Sequence, residues 1–107
     1  MVELLEVFIY KGIDYYQIKR SYSNCVYELS HKGNILHYEV FAIPITTPRS
    51  LTGRLRESIE LYAQNSDFGK TAFMYKSFYS AMIKFYELEK VRDENSILLK
   101  RRTITGD

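Results

Sequence analysis

A chain of 107 residues, 46% hydrophobic and 26% charged, is long enough for one domain with its own core and too apolar for general disorder. Its net charge of +2 permits a nucleic-acid partner without demanding one, because phosphate-binding domains usually carry a larger excess of Lys and Arg. The single cysteine, Cys25, excludes an internal disulfide framework and a cysteine-based metal site.

Leu4 to Tyr10 reads as a first strand, with Leu5, Val7 and Ile9 on one face and Glu6, Phe8 and Tyr10 on the other. Glu3 and Glu6 in this N-terminal segment argue against a signal peptide. Lys11-Gly12 predicts a turn, Ile13 to Lys19 a second strand, and Tyr22 to Ser30 a third with Cys25, Tyr27 and Leu29 on one face. His31-Lys32-Gly33-Asn34 is the next turn, and Ile35 to Ile43 a fourth strand ended by Pro44. Two successive strand–Lys-Gly–strand units predict an antiparallel meander of hairpins.

The second half reads as helical. Thr46-Thr47-Pro48 has the chemistry of a helix start, and Leu51, Leu55, Ile59, Tyr62 and Ala63 follow at helical spacing. Asn65-Ser66-Asp67 interrupts the pattern and can cap a second helix over Lys70 to Val91. On that helix Met74, Phe78, Ala81, Phe85 and Leu88 form one apolar stripe, and Tyr75, Tyr79, Met82, Ile83 and Tyr86 form another beside it. At 100° per residue the two cover an arc of roughly 220°, more than one core contact requires. Asp93 to Ser96 reads as a loop, Ile97 to Leu99 as a short strand and Lys100 to Asp107 as a tail. The expected fold is α+β, β-β-β-β-α-α: a four-stranded antiparallel meander with one face covered by a helical hairpin. Residues 1–95 form the domain, and 96–107 a basic C-terminal tail.

Catalytic motifs do not survive inspection. Gly69-Lys70-Thr71 lacks the second glycine of a phosphate loop, since position 64 is Gln64. Lys11-Gly12-Ile13-Asp14-Tyr15-Tyr16 keeps only part of the RNA-recognition strand signature. His37 and Glu39 share a strand face and can pair, but nothing local in sequence encloses them in a pocket. His31 and His37 without a third donor make no metal site. Cys25 reads as a buried small hydrophobe. No catalytic residue, metal or cofactor is therefore assigned.

What remains is association. Ten Tyr, six Phe and no Trp suit contact surfaces that tolerate partial solvent. The leading expectation is a cytoplasmic, non-catalytic interaction protein that binds a protein partner or itself as a homodimer through Tyr75, Tyr79, Met82, Ile83 and Tyr86. The alternative is a single-stranded nucleic-acid binder that stacks bases on Phe8, Tyr10 and Tyr15 beside Lys11, Lys19 and Arg20, with Lys100, Arg101 and Arg102 in the tail. A membrane role is not expected, because no apolar run approaches ~20 residues.

Overall fold

The computed structural model describes residues 1–47, 53 and 57–104, with backbone alone from 92 onward. The first four strands are β1 (Val7–Tyr10), β2 (Ile13–Arg20), β3 (Asn24–His31) and β4 (Asn34–Ala42). They form the antiparallel meander that the hairpin signals predict. Both tight turns have the backbone that a two-residue hairpin loop needs: Lys11 and Gly12 lie at φ 52° and 79°, Lys32 and Gly33 at 50° and 83°. Positive φ at both positions matches the turn to the right-handed strand twist.

The second half departs from expectation. Among the described residues there is no helical hairpin, and α1 (Phe78–Ile104) is the one α-helix. Where the first helix was expected, β5 (Ile45–Thr46) pairs with β6 (Ile59–Glu60) in a small second sheet, and Leu61 N–H bonds to the Pro44 carbonyl. Leu51 and Leu55 of the expected stripe lie outside the described residues. Long-range pairing outweighs a weak periodicity here: Val2 N–H donates to the Ser58 carbonyl, and Glu60 N–H to that of Val2.

The expected second helix is shorter at its start and longer at its end. A 3-10 turn (Asn65–Asp67) leads through Gly69 into β7 (Ala72–Tyr75), which pairs with β4 and completes a sheet of order β1-β2-β3-β4-β7. Ala72 and Phe73 alternate faces as a strand requires, and over so short a stretch that period is not separable from a helical one. Ser77 then caps α1, its Oγ accepting from Ser80 N–H at 3.3 Å. Residues 93–99, expected as a loop and short strand, lie within the 27-residue helix, as does the backbone of the expected tail through Ile104.

Both faces of the large sheet are covered, not one. On one face Val26, Tyr38 and Val40 pack beneath Ala81 and Phe85 of α1. On the other, Cys25, Tyr27, Leu29, Phe41 and Ala72 pack beneath Leu4, Tyr62, Ala63 and Phe68. Glu89 of α1 fixes the helix against the β2–β3 turn through Ser21 Oγ and Asn24 Nδ2, the latter at 2.9 Å.

The turn geometry makes a direct prediction. Gly33→Ala places a side chain at φ 83° and is expected to destabilise the fold by about 1–2 kcal/mol in urea titration. Lys32→Asn supplies a residue that prefers this conformation and is expected to stabilise by about 0.5 kcal/mol.

Candidate functional site

Two surfaces have the geometry to bind something, one on each face of the sheet. The first is built around Glu60. Arg20, at the end of β2, grips its carboxylate with two parallel bonds, Nη1 to Oε1 at 2.9 Å and Nη2 to Oε2 at 3.0 Å. Leu4 N–H adds a third at 3.0 Å, and the Glu60 side chain is only 3% exposed. The Arg20 hydrogen bond holds the Glu60 carboxyl below its usual range, ahead of the opposing effect of burial.

This clasp fixes the chain two residues before Tyr62. The Tyr62 ring enters an aromatic cluster with centroids 4.6 Å from Phe41, 5.0 Å from Tyr27, 5.4 Å from Tyr15 and 5.8 Å from Phe8. Its hydroxyl donates to Glu39 Oε1 at 2.7 Å, and Glu39 Oε2 meets His37 Nε2 at 2.9 Å. A carboxylate only accepts, so that imidazole nitrogen carries the proton. Burial, followed by the nearby Glu39 carboxylate, pushes the Tyr62 phenol far above its ordinary value and keeps it a donor. The neighbouring Tyr27 phenol is pushed up to about 12, chiefly by burial.

Beside this relay opens a cavity of about 480 Å³ lined by Phe8, Tyr10, Tyr15, Glu39, Tyr62, Ala63, Gln64, Asn65 and Phe68. The His37–Glu39 pair therefore exists and its carboxylate does face a pocket, contrary to the sequence reading. Nothing local signalled this, because the walls come from β1, β2, β4 and the 62–68 segment. Tyr62 was missed for the same reason: it had been placed on a helix stripe.

The nucleic-acid residues are divided by the fold. Phe8 and Tyr15 stack on each other at 4.5 Å and 13°, so they share the pocket but already cover part of one another. Tyr10 is exposed, with Lys11 Nζ 5.3 Å from its ring centroid, and Lys19 is exposed. Arg20 is engaged by Glu60. Lys100, Arg101 and Arg102 lie on the α1 backbone, their side chains outside the described residues.

The second surface is the outward side of α1. Tyr79, Ile83 and Tyr86 are 75%, 49% and 57% exposed and recur at i, i+4 and i+7, opposite the buried Ala81 and Phe85. Met82 is half-buried at the margin of the core, and Tyr75 is half-buried on β7 rather than on the helix. Cys25 is fully buried, and burial raises its thiol far above the nucleophilic range. Among the described residues no cluster of three His, Cys, Asp or Glu side chains is placed to hold a metal, and no helix is long and apolar enough to cross a membrane. Comparison with protein-family models, curated proteins and solved structures gives no match.

The clasp sets a pH dependence. Glu60 has a folded pKa below its unfolded value near 4.5, so its contribution is complete above that pH and lost as pH falls through the lower folded value. Glu60→Gln is expected to destabilise by about 2–3 kcal/mol at pH 7. Chemical denaturation from pH 7 to 3 should show the gap between wild type and variant closing as the carboxylate protonates.

Proposed function

We propose that this is a non-catalytic interaction protein that binds a protein partner, or a second copy of itself, through the outward face of α1. The observation that carries the reading is the exposed run of Tyr79, Ile83 and Tyr86 on a helix that packs on the sheet through Ala81 and Phe85 on its other side. An amphipathic helix needs one apolar stripe to dock on its own sheet; a second, solvent-facing one packs on nothing among the described residues. Tyr and Ile together supply apolar area, and the tyrosine hydroxyls keep hydrogen-bonding ability at a rim. Tyr75 and Met82, half-buried at the margin, extend the surface toward the sheet.

The sheet adds to this face. In the antiparallel register Val7 pairs with Tyr16, Tyr16 with Glu28, and Glu28 with Tyr38, so all four point to the α1 side. The helix packs on β3, β4 and β7, which leaves Val7, Ile9 and Tyr16 of β1 and β2 exposed beside it. Ile83 borders the β7 edge, where it shares a surface groove with Tyr75, while this strip of sheet lies on the β1–β2 side. Lys84, Glu87 and Lys90 supply charge around the stripe, with Lys84 and Glu87 paired at 3.4 Å.

Size-exclusion chromatography with light scattering tests the reading. Wild type is expected to show a dimeric mass or a co-purified protein, and Tyr79→Glu to lose it at least tenfold in affinity with an unchanged circular-dichroism spectrum and melting temperature. An unchanged mass in the variant would sink the helix-surface reading. Absorbance at 260 nm carried through a low-salt purification would instead favour single-stranded nucleic acid on the sheet face with Tyr10 and Lys11 beside it, Lys19 lying on the α1 side.

A further inference from the structure

We propose that the cavity on the sheet face away from α1 is a binding site for an organic cation of the alkylammonium class. Its volume of about 480 Å³ falls in the range of small-molecule sites and exceeds what a single ammonium head requires, so a head with an attached chain fits. Five of its lining residues are aromatic: Phe8, Tyr10, Tyr15, Tyr62 and Phe68. Ring faces present negative potential to a cation, and a desolvated cage of several rings adds these attractions.

The charge of the lining decides the sign of the ligand. Among the described residues Glu39 is its one carboxylate, and no Lys, Arg or His lines it. Lys11 lies beside the outer Tyr10 ring but is not among the lining residues. An anion would meet a carboxylate and, among the described residues, no compensating cation in the lining. A positively charged ligand meets a carboxylate whose position is already set by Tyr62 and His37, so little ordering is needed on binding.

The same two bonds narrow the class. Each Glu39 oxygen already accepts one hydrogen bond, which leaves no clear two-oxygen edge for the fork of a guanidinium. A metal ion would require more hard donors than one carboxylate. An alkylammonium demands only negative charge and aromatic surface, and Glu39 with five aromatic residues lines the cavity.

The test uses the 107-residue chain, isotopically labelled, titrated in separate NMR experiments with choline and with its neutral isostere 3,3-dimethylbutan-1-ol. Choline is expected to shift the amides of Gln64 and Asn65 saturably, at concentrations at least tenfold below the alcohol. Glu39→Gln should erase that preference, and Tyr10→Ala, at an exposed position that leaves the core intact, should weaken choline at least fivefold. Equal affinity for the two probes, no saturable shift, or shifts confined to α1 would overturn the proposal. So would an undiminished preference in Glu39→Gln; if that variant does not fold, an unaffected Tyr10→Ala overturns it equally.

Discussion

The Arg20–Glu60 clasp is the constraint on which one half of the molecule rests. The segment from 57 to 63 contributes only two residues of regular strand, so its path over the sheet has to be set by specific bonds rather than by a ladder. A buried carboxylate is expensive to dehydrate unless its acceptors are filled. Here both oxygens are taken by one guanidinium, a backbone amide adds a third bond, and Arg20 Nε also reaches the Ser21 carbonyl. One ion pair thereby joins the end of β2, the β2–β3 turn, the N-terminal segment and the crossing chain. Tyr62, and with it the floor of the aromatic cavity, takes its place from that junction.

The two faces of the sheet are closed by different means, and this difference separates their chemistry. On one side a regular helix buries Ala81 and Phe85 and must present its remaining circumference to solvent. On the other an irregular chain presses single side chains onto the strands, and such coverage leaves gaps that a helix lying flat would not. The cavity is one of those gaps, and the aromatic rings around it interlock at edge-to-face angles such as 81° between Phe8 and Tyr62 and 90° between Tyr15 and Tyr62. A protein contact on one side and a small cation on the other are therefore compatible readings of one fold.

The meander was legible because its signals are local. Lys-Gly at the β1–β2 and β3–β4 turns and period-two alternation in Tyr22 to Ser30 need no tertiary information. The face of β1 was not legible: Val7 and Ile9 are exposed, while Phe8 on the other side packs into the aromatic cluster. Helical spacing from Leu51 to Ala63 was misleading because Glu60 and Tyr62 answer to partners 40 and 23 residues away in sequence. In Lys70 to Val91 the helix was foreseen from Phe78 onward, but Ser77 marks its start and the residues before it complete the sheet. Within the tyrosine stripe, only Tyr79, Ile83 and Tyr86 share an open surface. The cavity had no local signature at all, since each wall belongs to a different stretch of chain.

The order of the chain gives the two covered faces a further meaning. Residues 7–42 form four sheet strands joined by short turns, and hairpins of this kind close in about 1–10 μs. Apart from Leu4, the residues that cover those strands, from Tyr62 to Leu88, come later in the same polypeptide. At about 5–20 residues per second on the ribosome, the 47 residues from Ile43 to Glu89 take about 2–10 s to synthesise. During that interval most of both apolar faces and two strand edges of the nascent sheet are bare, and the residues from Tyr62 to Leu88 act as the late-arriving shield. Newborn chains are thus most prone to cross-pairing before translation ends, in a window that the finished protein no longer shows.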